Sequence, residues 1–171
     1  AEAALRKEGL RQPAERVAKL RRALETGRLS RSGSLRALDA LERSLDKSKP
    51  SGLDAAAGEM ARAGAALKSS AAGALSRTLR SGDAGAAAKA LNDLARESKS
   101  LPPQEREALD RELREAAKAL SKQGALGGAK SELERGAAGA PGAAKSFKEF
   151  GSKQGQAKAL ERAQGICRDC Q

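Results

Sequence analysis

Residues 35–45 read LRALDALERSL, in which leucines recur at intervals of three and four residues: Leu35, Leu38, Leu41 and Leu45. This spacing places all four side chains on one face of an α-helix, whereas a half-buried strand would alternate apolar and polar residues. The segment is the strongest amphipathic signal in the chain. It predicts a helix that stops at Lys49-Pro50 and packs its leucine face against other helices.

The composition extends this prediction to the whole chain. Of the 67 hydrophobic residues, 60 are Ala or Leu, and Val17 and Ile166 are the single Val and Ile. Ala and Leu favour helices, whereas strands are rich in β-branched and aromatic residues. We therefore predict an all-α fold of antiparallel helical hairpins, as an Ala/Leu-packed bundle or a short helical-repeat array of about six to eight helices. Because Leu, Ile, Val and Phe together make up only about 15% of the chain, disorder is the alternative.

Proline, glycine and capping residues mark further helices. One helix is predicted from Pro13 to Gly27, and a long one from Leu53 to about Leu79. Asp83 can cap the next helix. After Leu101-Pro102-Pro103 another helix follows, whose outer face pairs Glu107 with Arg111 and Asp110 with Arg114.

The helical signal weakens after Gly124. We predict a main helical bundle over residues 1–124 and a weakly helical, glycine-rich tail over residues 125–171, which ends in a Cys-x-x-Cys motif. Within the tail, residues 136–156 are predicted to be a loop or a low-complexity linker. The only two aromatic residues of the chain, Phe147 and Phe150, lie in this stretch.

A faint repeat with an offset of 53 residues matches Leu38, Leu41 and Pro50 to Leu91, Leu94 and Pro103. Each copy would be a helix, a proline break and a second helix. This predicts a duplicated helical hairpin over about residues 28–80 and 83–124. Chance alignment of similar leucine-rich helices is the alternative.

The chain is basic, with 33 Lys and Arg against 22 Asp and Glu, a net charge of +11. Residues 1–50 carry 13 basic and 7 acidic side chains. Five of these cations form a candidate surface for an anionic partner: Arg16, Lys19, Arg22, Arg28 and Arg31. Because this region lacks aromatic residues, nucleic-acid binding there would be independent of sequence and sensitive to salt. An ordinary solvated surface is the alternative, with Val17, Leu20 and Leu24 opposite it engaged in helix packing.

Catalysis is not expected. The chain has no His, Trp or Tyr, so the usual general base near neutral pH and the commonest metal ligand are missing. We predict no catalytic residues, no cofactor-binding residues and no transmembrane segment, since no apolar run approaches about 20 residues.

Cys167 and Cys170 form the one local sequence motif whose side chains could bind a metal ion or form a disulfide. Two thiolates at this spacing can bind one Zn²⁺ ion, but a structural site needs four ligands, so a second chain or further sequence would have to complete it. The alternatives are a local disulfide, two unreacted thiols or an intermolecular cross-link. Thioredoxin-like chemistry is disfavoured because no βαβ context is predicted.

Taken together, these features favour a non-enzymatic scaffold or interaction module that joins a protein partner or a second copy of itself, as part of a larger protein or complex. A basic, sequence-nonspecific nucleic-acid-binding or packaging protein is the first alternative. A redox or metal-carrying module that uses the cysteine pair is the second. The initial Ala1 and a disulfide-capable pair favour a bacterial envelope or another extracytoplasmic setting over the cytoplasm.

Overall fold

The computed structural model describes residues 1–169, and 77% of these residues are helical. The described residues contain no strand, so the all-α prediction is confirmed. They form nine α-helices, close to the number expected: α1 Glu2–Lys7, α2 Arg11–Glu25, α3 Arg31–Asp46, α4 Leu53–Ala66, α5 Gly73–Arg80, α6 Ala84–Glu97, α7 Pro103–Lys118, α8 Gly127–Leu133 and α9 Ala140–Asp169. A short 3₁₀ helix, Gly136–Gly139, precedes α9.

Contacts group the chain into two compact units. The first consists of Ala1–Ser51 and Lys153–Gln171, and the second of Gly52–Ser152. This grouping differs from the predicted division at residue 124, and α9 contributes residues to both units. Helices α3 and α4, which belong to one copy of the predicted repeat, fall in different units, whereas α6 and α7 share the second unit. The duplication stays a prediction.

The first unit combines α1, α2 and α3 with the later part of α9. Its buried core contains three of the four predicted leucines of α3, whereas Leu35 is 41% exposed. Side chains from the other three helices complete this core: Leu5, Ala14, Leu38, Leu41, Leu45, Ala159, Leu160, Ala163 and Cys167. Glutamine side chains of α9 add bonds to backbone carbonyls, since Gln156 Nε2 donates to the Glu8 oxygen at 3.2 Å and Gln164 Nε2 donates to the Glu42 oxygen at 3.4 Å.

The second unit packs α4 to α8, the 3₁₀ helix and the beginning of α9 around a core of Ala and Leu, to which Met60, Phe147 and Phe150 add larger side chains. The predicted loop over residues 136–156 is wrong, and so is the weakly helical tail, because Ala140–Asp169 forms one helix. Phe147 and Phe150 are buried rather than placed in a linker. These two rings anchor α9 in the second core.

Close packing explains why so many glycines occur in this helical region. A Cβ atom at Gly139 would overlap the carbonyl oxygen of Glu132, and one at Gly142 would lie 2.5 Å from the Glu132 side-chain carboxyl carbon. Gly136 has a φ of +69° and sits against the carboxylate of Asp110. Glycine is used here because it lets neighbouring segments approach, and not because the chain forms a loop.

The side-chain partner of Asp110 also differs from the one predicted for α7. Its Oδ1 accepts a 2.7 Å hydrogen bond from the backbone N–H of Ala137, instead of pairing with Arg114. Arg114 Nε donates to the Glu134 carbonyl oxygen at 3.3 Å. The predicted pairing of Glu107 with Arg111 is likewise not found within residues 1–169.

The predicted long helix over Leu53–Leu79 is wrong, because α4 ends at Ala66 and α5 begins at Gly73. Leu67 takes an extended conformation with φ −87° and ψ 116°. The carboxylate of Glu112 in α7 then accepts hydrogen bonds from the backbone N–H groups of Lys68 and Ser69 at 3.0–3.1 Å, and from the Ser69 hydroxyl at 2.9 Å. Glu112, which is distant in sequence, therefore stabilises the interruption between α4 and α5.

Candidate interaction surface

The predicted anion-binding cations all lie in the first unit. Arg16, Lys19 and Arg22 belong to α2, Arg28 lies between α2 and α3, and Arg31 is the first residue of α3. All five are exposed, and none forms an ion pair within the described part of the chain. Among the described residues, Arg16 alone of the five donates a side-chain hydrogen bond to another helix, from its Nη1 to Ser44 Oγ of α3. The surface of five cations for an anionic partner stays a prediction.

Of the two cysteines of the predicted site, Cys167 lies within the described residues. Cys167 is 6% exposed and belongs to the core of the first unit. Cys170 lies outside the described residues. Within residues 1–169, no group of three or more His, Cys, Asp or Glu side chains could hold a metal ion. The zinc half-site, the disulfide and the cross-link stay predictions.

An apolar groove of about 570 Å³ opens on the surface of the first unit. Its walls come from the amino end with α1, and from α2, α3 and α9. The contributing apolar side chains are Ala1, Ala3, Val17, Leu20, Leu24, Leu38, Leu41, Ile166 and Cys167. The α2 residues recur every three or four positions, so they form a stripe along one side of that helix. The groove exists because the neighbouring helices cover this apolar face of α2 only in part.

Two large apolar side chains in this groove are exposed to solvent. Leu24 is 40% exposed and Ile166 is 47% exposed. The sequence assigned Val17, Leu20 and Leu24 to helix packing, and this is wrong for Leu24, while Val17 and Leu20 are only half-buried. The periodicity identifies an apolar face but cannot tell whether another helix covers it.

Charged side chains border the groove. Glu2 Oε1 lies 2.9 Å from Arg6 Nη2, and Glu2 Oε2 lies 3.6 Å from Arg21 Nη2. Arg21 Nε in turn lies 3.6 Å from Glu25 Oε1. Residues 1–51 and 153–171 together carry 17 basic and 9 acidic side chains, a net charge of +8. A charged rim around an apolar centre is the usual anatomy of a protein interface.

Another ion pair fixes the end of α9 to α3. Arg168 Nε lies 2.7 Å from Glu42 Oε1, and this hydrogen bond, together with the negative charge of Glu42, raises the pKa of Arg168 above its ordinary value. The Arg168 side chain is 67% exposed, so solvent screens the pair.

The second unit has a cavity of about 450 Å³ between α6, α7 and the 3₁₀ helix. Two of its charged side chains, Arg106 and Asp110, are engaged with the backbone. Arg106 donates to the carbonyl oxygens of Ser98, Lys99 and Leu101 at 3.1–3.2 Å, and Asp110 accepts from Ala137. These bonds satisfy groups at the end of α6 and in the turn before α9, which is a structural role.

The chain matches no protein-family model, and no curated protein or solved structure is significantly similar to it. In the part of the chain that the structure describes, no helix is long and apolar enough to cross a membrane.

Proposed function

We propose that the protein is a non-enzymatic interaction module, and that the groove of its first unit binds an acidic amphipathic helix of a partner protein. The observation that carries this proposal is the exposure of Leu24 at 40% and Ile166 at 47% in the same groove. Exposed apolar side chains grouped in a concave surface with a polar border are typical of binding sites. The lack of His supports the non-enzymatic part of the proposal.

A helix is the partner element that fits this groove best. The walls are themselves helices, and an added helix can insert apolar side chains spaced at i, i+3, i+4 and i+7 into the space between them. A volume of about 570 Å³ accommodates a few large side chains. Binding would cover the leucine stripe of α2, which the first unit leaves partly open.

The net charge of the first unit determines which charge the polar face of the partner helix should carry. With a net charge of +8, the unit attracts an acidic surface and repels a basic one. Such steering acts mainly on the rate of association and on specificity, while burial of the apolar side chains supplies the affinity.

The test uses the full chain and a fluorescent 18-residue helical peptide with Leu on one face and Glu on the other. Fluorescence anisotropy should show saturable binding, and a matched peptide with Lys in place of Glu should bind more weakly. Leu24→Ser and Ile166→Ser should each weaken binding by about tenfold, as expected for central apolar anchors. Leu35→Ser is the matched control, because Leu35 is 41% exposed but does not line the groove.

Two results would contradict the proposal. Equal losses in the Leu35→Ser and Leu24→Ser variants would mean that the peptide adsorbs to apolar residues in general. A concentration-dependent dimer that is abolished by Leu24→Ser, seen by light scattering, would assign the groove to a second copy of the chain instead of an acidic helix.

A further inference from the structure

A second, polar cleft lies between α2 and α3 of the first unit. It has a volume of about 590 Å³ and contains three cations and two hydroxyl groups among its lining residues: Arg16, Ala40, Arg43, Ser44, Lys47 and Ser48. Arg43 of α3 and Lys47, which directly follows α3, were not among the predicted anion-binding residues. They lie four residues apart and therefore on one side of the helix, opposite Arg16 of α2.

Hydrogen bonds hold the groups that line this cleft. Arg16 Nη1 donates to Ser44 Oγ, which joins α2 to α3 at this point. Arg43 Nε donates to the Asp39 carbonyl oxygen at 3.4 Å, and the Ser48 hydroxyl donates to the Ser44 carbonyl oxygen at 2.9 Å. A guanidinium has five N–H donors, so both arginines keep donors for a ligand after these bonds are made.

The charged side chains that line this cleft are all positive. No acidic side chain lines it, and none of its three cations forms an ion pair within residues 1–169. Two carboxylates of α3 next to these cations in sequence have other partners. Glu42 pairs with Arg168 at 2.7 Å, and Asp46 pairs with Lys49 at 3.5 Å.

We propose that this cleft binds an oligophosphate group, either as inorganic tripolyphosphate or as the phosphate tail of a nucleotide. Guanidinium groups bind phosphate oxygens in a bidentate manner, Lys adds a point charge, and a hydroxyl can donate a further bond. Three cations offset most of the negative charge of a chain of two or three phosphates. The first unit has no aromatic residue to stack on a base, so the phosphates alone should determine affinity.

This inference goes beyond the proposed docking of a helix and depends on different residues. None of the three cations lines the apolar groove. A chain that fails to bind the amphipathic peptide can therefore still bind tripolyphosphate, and the two proposals can fail separately.

Isothermal titration calorimetry of the full chain tests the proposal, with tripolyphosphate, ATP and adenosine as probes at low and at physiological ionic strength. We expect tripolyphosphate and ATP to bind with similar affinity and adenosine not to bind. Arg16→Gln/Lys47→Gln should weaken tripolyphosphate binding by about tenfold or more. The matched control is Lys158→Gln/Arg162→Gln, which removes the same two charges from exposed positions of α9 that do not line the cleft.

Circular dichroism establishes that each variant folds. Arg43→Lys is a second variant that keeps the charge but loses the planar fork, and it should also weaken binding. Equal weakening in the cleft and control double variants would overturn the proposal, since net charge alone would then explain binding. ATP binding much tighter than tripolyphosphate would overturn recognition of the phosphates alone.

Duplex DNA provides the remaining comparison. A chain that binds DNA at physiological salt but does not bind tripolyphosphate would overturn the cleft proposal in favour of an extended nucleic-acid surface. The other predicted cations would then be the residues to test: Lys19, Arg22, Arg28 and Arg31.

Discussion

The hydroxyl of Ser76 in α5 donates a 2.7 Å hydrogen bond to the carbonyl oxygen of Gly64 in α4. That carbonyl lies in the last turn of α4, where no later helical N–H is available to it. The two helices can approach this closely because Gly64 has no side chain. A Cβ atom there would lie 2.8 Å from the Ser76 carbonyl oxygen and 3.0 Å from the Arg80 backbone nitrogen.

Substitution of this glycine should separate α4 from α5. Gly64→Ala is expected to lower the free energy of unfolding by about 1–3 kcal/mol, because the added methyl group meets backbone atoms that cannot move independently. Gly58→Ala in the same helix is the matched control, since its Cβ would meet only the end of the Arg62 side chain at 3.6 Å. The control should raise stability by about 0.5–1 kcal/mol. Urea unfolding measures both, and a stabilising Gly64→Ala would contradict the packing described.

The carboxylate of Glu112 should stabilise the break between α4 and α5. Glu112→Ala leaves the backbone N–H groups of Lys68 and Ser69 without their partner, and it should cost about 1.5–3 kcal/mol, as for other hydrogen bonds to charged groups. Glu107→Ala in the same helix removes an exposed carboxylate and should change stability by less than about 0.5 kcal/mol. Thermal unfolding followed by circular dichroism compares the two. Similar midpoints would show that the break does not depend on Glu112.

Phe147 should contribute to stability although it lies in a glycine-rich stretch. Its side chain is 0% exposed, so Phe147→Ala is expected to cost about 3–5 kcal/mol through lost burial and the cavity left behind. The neighbouring exposed residue supplies the control, Lys148→Ala, which should be close to neutral. Urea unfolding again gives the measurement. If the two variants were equally stable, residues 136–156 would behave as the linker that the sequence predicts.

Cys167 should react slowly in the folded protein. In a Cys170→Ser variant, only Cys167 remains, and its burial at 6% exposure should slow its reaction with a thiol reagent by about tenfold or more relative to the unfolded chain. Absorbance of the released product gives the rate with and without denaturant. Equal rates would mean that the thiol is accessible in the native state. Zinc titration of the unmutated chain shows in parallel whether the pair binds metal.

The elements with local signals were predicted well. The leucine face of α3 supplies Leu38, Leu41 and Leu45 to the first core, and Asp83 caps α6 by accepting from the Ala86 N–H at 2.9 Å. The break after Ala66 was missed because Glu112, which stabilises it, is distant in sequence. The sequence predicts a loop at Gly139 because the close approach of this glycine to Glu132 exists only in the folded chain.

The surfaces were predicted less completely than the helices. Arg16 was recognised as a cation on an exposed face, but its association with Arg43 and Lys47 depends on how α2 packs against α3. Likewise, the sequence shows the apolar stripe of α2 that contains Leu24. The exposure of Leu24 depends on whether another helix packs against this stripe. A single sequence gives the direction of each side chain around its own helix, and the partners across helices come from tertiary packing.

The shared helix α9 has a consequence for the order of synthesis. The second unit consists of one continuous stretch, Gly52–Ser152, so every residue of its core has been made before Lys153 is added. The first unit begins with the earliest helices, yet its core needs Leu160 and Ala163. A chain leaves the ribosome amino end first. The leucines of α1 to α3 therefore stay without their partners from α9 until more than a hundred later residues have been synthesised. The unit whose helices are synthesised first is therefore the one whose core is completed last.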